Sequence, residues 1–145
     1  MMDYPRYWNM SITVFTRLYC VDSADNYKKI KWYRYTFDNC FFTQSQTSYH
    51  SGRDLYQKNQ NIIRIPVSEN YVPYKEWCEM SETQKTAYWS ITAGSLLFLD
   101  VVRDEIPTNS SGNDLLKKYD PDCFTVDVFK DNTNFIPKHY FIGGG

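Results

Sequence analysis

Apolar and polar residues alternate over the first third of the chain with the period of a β-strand. Residues 10–20 place Ile12 and Val14 on one face and polar or aromatic residues on the other, which is the pattern of a half-buried strand. After a cluster of turn-forming residues, 27–37 interleave aromatic side chains with charges at the same period. Together the two segments predict an antiparallel hairpin.

The next segment changes from strand-like to polar. Residues 38–39 predict a chain reversal, and 40–43 predict the start of another short strand. Residues 44–60 contain few large apolar groups, so the sequence predicts a polar loop or arm there. The apolar run 61–67 predicts a strand that Pro66 ends or places at a sheet edge, because proline cannot donate to the ladder.

The middle of the chain contains signals for two short helices and one hairpin. Proline near its start and an early glutamate predict one or two helical turns over 73–78. An early acid and two late lysines match the helix dipole over 113–119. Residues 87–91 and 95–103, joined by a turn at 92–94, predict a hairpin at the centre of the core.

The C-terminal part adds two more strands, predicted at 123–130 and 138–142, followed by a flexible glycine end. Many short strands without a βαβ rhythm predict a mainly β fold, a small antiparallel barrel or sandwich with one or two short helices. The length of 145 residues is typical of one domain, so we predict a single β-rich domain over 1–145. We expect an extended N-terminal arm at 1–9.

The amino-acid composition supports the prediction of a β fold and excludes several classes of protein. Aromatic residues make up 18% of the chain, and the net charge is only -1, so a disordered tail is excluded. The longest apolar block, 96–99, is interrupted by Asp100 and is too short to span a bilayer. The first residues lack a basic and then apolar signal, so we expect the protein to stay in the cytosol, with no membrane partner.

The residues that could bind a metal do not occur at metal-site spacing. A cytosolic chain keeps its thiols reduced, and cysteine is often a small buried hydrophobe. The sequence therefore predicts no metal site and no disulfide framework. The alternative is a structural zinc site formed by cysteines and histidines that are distant in sequence but meet in the fold. The residues concerned are Cys20, Cys40, Cys78, Cys123, His50 and His139.

Catalytic motifs are also missing from the sequence. Ser95 follows a glycine, but the preceding residues do not form a nucleophile elbow. Asp104 and Glu105 fall where a predicted strand leaves the core, so we interpret them as solvated charges. The sequence predicts no catalytic residues, no cofactor and no enzymatic activity.

A basic and aromatic segment raises the alternative of nucleic-acid binding. Residues 28–35 interleave four cations with aromatic side chains, as a groove for single strands would need. However, residues 1–72 carry a net charge of +3 and residues 73–145 carry -4, so no basic field covers the domain. Halves of opposite charge instead favour a homo-oligomer, in which one subunit's basic side meets its neighbour's acidic side.

A series of short motifs follows one another along nearly the whole chain. They are Ser11-Ile12-Thr13-Val14-Phe15, Ile62-Ile63-Arg64-Ile65-Pro66, Trp89, Ala93-Gly94, Asp122-Cys123-Phe124-Thr125-Val126-Asp127, Asp131-Asn132 and Lys138-His139-Tyr140-Phe141-Ile142-Gly143-Gly144. In this order they resemble a family of small uncharacterised proteins encoded among the head and neck genes of tailed bacteriophages, and none of the motifs is catalytic. Two features depart from the family's pattern: Gly94-Ser95 stands where a glycine-aspartate is expected, and the 44–60 linker is long.

This resemblance implies a structural virion protein for head completion or for a head-tail connector in the neck. Such a protein would form a homo-oligomeric ring and contact portal or connector and tail proteins, and packaged DNA is a candidate for non-specific contact. Aromatic and basic residues in the N-terminal arm, the second strand and the polar arm are the predicted partner contacts. They are Tyr4, Tyr7, Trp8, Lys28, Lys29, Lys31, Arg34, Tyr49, Arg53 and Tyr56.

Two other functional classes fit the same composition. A small β-sandwich binding module could stack a carbohydrate, or bind a protein ligand, on exposed tyrosine and tryptophan. An accessory protein acting on a host factor would also be small, aromatic and free of catalytic motifs. The sequence alone does not decide among these classes.

Overall fold

Six antiparallel strands close into a barrel in the described part of the chain, together with three short helices. The strands are β1 (Met10–Val21), β2 (Lys28–Ser51), β3 (Asp54–Pro66), β4 (Leu96–Phe98), β5 (Cys123–Asn132) and β6 (His139–Gly144). The helices are α1 (Tyr74–Cys78), α2 (Glu82–Ala87) and α3 (Asn113–Tyr119). The order around the barrel is β1-β2-β3-β6-β5-β4, closed by pairing of β4 with β1. The predicted mainly β fold, a small barrel or sandwich, is confirmed.

The computed structural model describes residues 4–21, 28–51, 54–132 and 138–145. The backbone but not the side chains are described for residues 20–21, 28, 45–51 and 54–59.

β2 is one long strand that bends in its middle and belongs to two ladders. Its first half pairs with β1 from Val21↔Lys28 to Ile12↔Phe37, and the register then shifts so that Met10 faces Cys40. Asn39 sits in this bulge with φ 58°. Asparagine tolerates the left-handed region, and bulges bend a strand. The predicted reversal at 38–39 is therefore wrong: the chain bends there without turning back.

Beyond the bulge, β2 and β3 form a two-stranded extension of the barrel. The ladder runs from Phe41↔Arg64 to Ser51↔Asp54. β3 pairs with β6 only from Asn61↔Gly144 onwards. Among the described ladders, the β3 residues before Asn61 pair with β2 and with no third strand. We call residues 44–51 and 54–60 the ribbon. At about 3.3 Å per residue, its arms are about 25 Å long.

The sequence predicts a polar loop or arm at 44–60, and the ribbon shows that the loop alternative is wrong. Its backbone is regular strand, although its residues are mostly Gln, Ser, Thr and Asn. Strands with mainly polar residues on both faces show no apolar alternation, so the hydrophobic pattern does not reveal them.

Two apolar clusters lie on opposite sides of β1 and β4. The cluster inside the barrel includes Ile12, Val14, Ile63, Leu97 and Ile142, all fully buried. The second cluster packs α3 and the chain before it against the outer face, and it includes Phe15, Leu96, Phe98, Val102 and Leu115. Both faces of β1 are therefore covered.

The hairpin predicted at 87–91 and 95–103 is wrong. Ser81 and Gln84 form a capping box that starts α2, which ends only at Ala87. β4 is three residues long and pairs with β1 and β5. Trp89 forms an isolated parallel bridge with Tyr71 instead of entering a hairpin.

The other predicted elements agree with the structure, except at the C-terminus. α1 lies within the segment predicted as helix and follows Pro73, and α3 has the predicted bounds. Gly143 and Gly144 belong to β6 and are buried, so the prediction of a flexible glycine end is wrong for them. A Cβ on Gly144 would overlap the carbonyl of Thr125, which explains the need for glycine.

Candidate functional site

The N-terminal segment folds back onto its own barrel. The amide of Trp8 donates to the carbonyl of Pro5 at 3.0 Å, which closes a turn. The Tyr4 hydroxyl donates to the carbonyl of Lys138 at 2.7 Å and accepts from the amide of Val67 at 3.1 Å. The expectation of an extended arm is thus wrong for residues 4–9.

Trp8 completes an aromatic cluster on the outside of β2 and β6. Its ring stacks on Tyr4 at 5.0 Å and lies 6.0 Å from Phe41 and 6.1 Å from His139 between centroids. Only 5% of Trp8 is exposed. Its own barrel therefore covers the ring in this conformation, and a contact of Trp8 with a partner stays a prediction.

Tyr7 is the aromatic residue of this segment that stays accessible. It is 66% exposed, and its ring meets Phe41 edge-on at 5.8 Å. One tyrosine presented on a rigid aromatic base suits a protein contact, since tyrosine buries a large area at a low entropy cost.

The basic residues predicted on β2 do not form a single patch. Lys31 pairs with Glu82 at 3.1 Å, and Lys29 is half-buried on the same face. Arg34 lies on the other face, where its guanidinium donates to the carbonyls of Arg103 and Asp104 at 2.6 and 3.0 Å. Lys28 begins the strand, and its side chain is outside the described atoms.

The aromatic residues between these cations pack internally. The indole of Trp32 donates to the carbonyl of Ser110 at 2.8 Å. The Tyr33 ring meets Trp77 edge-on at 5.3 Å, and the Tyr35 hydroxyl accepts from the Trp77 indole at 2.9 Å. The side chains that a nucleic-acid groove would need for base stacking therefore hold the loop and α1 against the barrel.

The remaining predicted contacts belong to the ribbon. Tyr49 and Tyr56 are directly opposite each other in the β2–β3 ladder. Arg53 lies outside the described residues. The backbone therefore places the two tyrosines of the ribbon at one cross-strand position.

The strongly shifted titratable groups belong to the packed core. Burial, with a smaller contribution from the charge of Asp38, raises the pKa of the Cys40 thiol from 9.0 to about 12. Burial also raises the pKa of Tyr35, and it raises the pKa of Tyr71 to about 12. Burial is the largest cause of each of these pKa shifts.

Asp104 and Glu105, interpreted as solvated charges, lie in the chain before α3. Asp104 accepts a hydrogen bond from Lys118 at 2.7 Å, and this contact lowers the pKa of the carboxyl. Across the described residues, no group of three or more His, Cys, Asp and Glu side chains is placed to hold a metal ion. No helix in the described part of the chain is long and apolar enough to cross a membrane.

One feature that the sequence did not predict is an open strand edge on the first half of β2. β1 covers one side of this half, and β3 pairs only with the half beyond the bulge. On the uncovered side, the amide of Ile30 donates to Asn109 Oδ1 at 3.0 Å and its carbonyl accepts from the Asn109 amide at 2.8 Å. In an antiparallel strand every second residue points to the same side, so the backbones of Trp32, Arg34 and Thr36 face this side too.

The open edge is the floor of a slot of about 370 Å³. Lys85 and Thr86 of α2 form one wall, and Glu105 and Ile106 form the other. Within the described residues, no further backbone or side chain pairs with the edge beyond Ile30. A strand edge becomes visible only once the ladders are known, so the sequence held no signal for the slot.

Comparison with known proteins gives one result. The model of the "Family of unknown function (DUF6751)" matches residues 7–145, which includes the whole barrel and the ribbon. No curated protein and no solved structure matches the chain.

Proposed function

The chain belongs to the DUF6751 family, and we propose that it is a structural protein of a tailed-phage virion. In this proposal it forms or joins a head-tail connector ring in the neck, through contacts with copies of itself and with portal and tail proteins. The observation that carries the proposal is the ribbon, a regular β structure that extends past the barrel and pairs with no other described strand.

A self-paired ribbon supports an assembly role for two physical reasons. An isolated two-stranded hairpin is only marginally stable in water, so it gains from packing on another molecule. Among the residues that the structure describes, nothing pairs with the outer edges of the ribbon, and such edges are positions at which a second chain can pair. A ring subunit uses such a projection to reach its neighbour.

The ribbon's polarity also fits the DNA contact included in this proposal. Its residues are mainly uncharged Gln, Ser, Thr and Asn. Without a basic field, such a surface in a channel would let DNA pass without tight binding to phosphates. Phage particles whose ribbon is replaced by a short turn should lose or release packaged DNA differently from the wild type, and unchanged DNA retention would contradict this part of the proposal.

The mass of the purified protein tests the ring directly. We expect native mass spectrometry and electron microscopy to show a closed ring of six or twelve copies, alone or bound to a portal. A persistent monomer that binds a carbohydrate would overturn the proposal and favour a binding module. A persistent monomer that captures neither portal nor sugar would overturn it as well.

Tyr7 allows a test of the partner contact that leaves the barrel intact. Tyr7→Ala should weaken binding between subunits or to the portal by about tenfold, because an exposed tyrosine at an interface is often an anchor. Tyr88→Ala is the matched control, since Tyr88 is also exposed and lies at the end of α2. Equal effects of the two variants would contradict a specific role for Tyr7.

A further inference from the structure

The slot beside β2 and the ribbon are complementary parts of one chain. We propose that the open edge of β2 at Trp32, Arg34 and Thr36 is the docking site for the ribbon of a second copy, which adds a strand to the barrel. This inference rests on the proposed ring and specifies how neighbouring subunits join.

The backbone of the slot is ready to pair with a strand. From Trp32 to Thr36 the edge is about 13 Å long at 3.3 Å per residue, so it offers three residues whose amides and carbonyls face outward. Asn109 already occupies the equivalent groups of Ile30, which shows that these groups can bond to a segment placed beside the strand. β-strand addition uses main-chain groups of this kind for affinity and the adjoining walls for specificity.

The walls of the slot fit a polar strand. The side chains of Trp32 and Arg34 hold the chain around residues 103–110, while Tyr35 holds α2 by donating to the carbonyl of Lys85 at 2.6 Å. The inserted strand would thus lie between two fixed layers. Glu105 and Thr86 line these layers, and the amide and hydroxyl groups of a polar strand are able to donate hydrogen bonds to their side chains.

The ribbon is the segment of this chain that meets these requirements. Its edges have no partner among the described ladders, and its residues are mostly uncharged and polar. Slot and ribbon lie on opposite sides of the Asn39 bulge of the same strand, so the ribbon extends away from its own slot. A donor and an acceptor at different places on one chain make a head-to-tail contact, which closes into a ring when the rotation allows.

A proline at position 36 of β2 should prevent the ribbon of a second copy from pairing with the open edge. Thr36 follows Tyr35, the last slot-lining residue of β2, and its amide lies on the open edge and points away from β1. Thr36→Pro deletes this amide, and proline is tolerated on an open edge. We expect the barrel to keep its near-ultraviolet circular dichroism, while the concentration needed for ring formation rises about tenfold or more. Thr36→Val keeps the amide and is the matched control, which should assemble like the wild type.

A second pair of variants blocks the slot without touching its backbone. Thr86→Trp fills the slot from α2, and Thr86→Ser is its control. We expect the tryptophan variant to remain monomeric at concentrations where the serine variant forms rings. If both Thr36→Pro and Thr86→Trp are folded and still close rings, the docking site is wrong while the ring itself stands.

Complementation identifies the occupant. Replacing residues 46–59 by Asn-Gly joins the paired positions Ser45 and Gln60 through a two-residue turn and leaves a chain with a slot but no ribbon. Mixed with Thr36→Pro, which has a ribbon but a blocked slot, it should form a 1:1 heterodimer that does not grow. Two results would overturn this docking proposal: rings formed by the chain without the ribbon alone, or a mixture with Thr36→Pro that stays monomeric. A wild-type protein that never assembles would overturn the proposed ring as well.

Discussion

The two halves of β2 show how one strand can be held in two different ways. Before the Asn39 bulge, the strand lies against β1, and its side chains fasten a loop on one face and two helices on the other. Beyond the bulge, Cys40 still faces Met10 of β1, and among the described strands the rest of this half pairs with β3 and leads into the polar ribbon. The first half is stabilised by burial, whereas the ribbon depends on backbone hydrogen bonds. One half of β2 therefore contributes to the stability of the barrel, and the other half extends past the barrel.

The largest loss of stability is expected from the barrel core. Trp89 is buried, its indole donates to Ser68 Oγ at 2.9 Å, and its ring lies 4.6 Å from that of Phe37. Trp89→Ala should lower the free energy of unfolding by about 3–5 kcal/mol, because it leaves a large cavity. Urea denaturation measures this loss, and Trp89→Phe should cost less. A loss below about 1 kcal/mol for the alanine variant would show that the core is not packed as described.

The bulge between the two halves should be sensitive to backbone conformation. Asn39 has φ 58°, which a β-branched residue adopts only with strain. Asn39→Val should cost up to about 2 kcal/mol, while Asn39→Gly should be nearly neutral. Urea denaturation of both variants checks the contrast. Equal stabilities would mean that the strand does not bend through a left-handed residue.

Alkaline pH should weaken the barrel half through Cys40. The folded state holds the thiol proton more tightly than the unfolded chain, since the pKa of the thiol is raised from 9.0 to about 12. This contribution to stability is complete below pH 9 and is lost as the pH rises from 9.0 towards about 12, by about 1.4 kcal/mol per pH unit. Unfolding curves of the wild type and Cys40→Ala between pH 8 and pH 10 should converge. Parallel pH dependences would contradict the burial of this thiol.

The ribbon should contribute least to stability. Replacing residues 46–59 by Asn-Gly should change the free energy of unfolding by less than about 0.5 kcal/mol, because no described core residue belongs to that segment. Ile63→Ala, in the buried part of the same β3, is the contrasting control and should cost about 2–5 kcal/mol. Urea denaturation compares the two. Collapse of the fold on removing the ribbon would refute the division between barrel and ribbon.

The parts of the fold that the sequence predicted are those with a buried face or a local helix signal. The alternation around Ile12 and Val14 identified β1, and the charge pattern of α3 identified that helix with its observed bounds. The ribbon was missed because neither of its faces is apolar. α2 was missed although the Ser81–Gln84 capping box is a local signal, because Trp89 and the apolar run after it suggested a hairpin.

The candidate surfaces were harder to predict, because accessibility depends on tertiary contacts. Tyr7 and Trp8 are adjacent aromatic residues, yet the first is exposed and the second is covered by Tyr4 and Phe41. Lys85 looks like a solvated cation in the sequence, but it is buried and donates to the carbonyl of Met80 at 2.6 Å. Single positions in a pattern do not show which neighbours the fold supplies.

Asn109 also limits the length of the open edge of β2 to which another strand can pair. By bonding to both backbone groups of Ile30, its amide and side chain end the exposed edge after a few residues. A long flat edge invites fibre formation, in which strands stack without limit, and native proteins guard against it by interrupting such edges. Asn109 therefore shortens this one open edge, so that it has room for a short strand only and is a poor template for amyloid-like stacking.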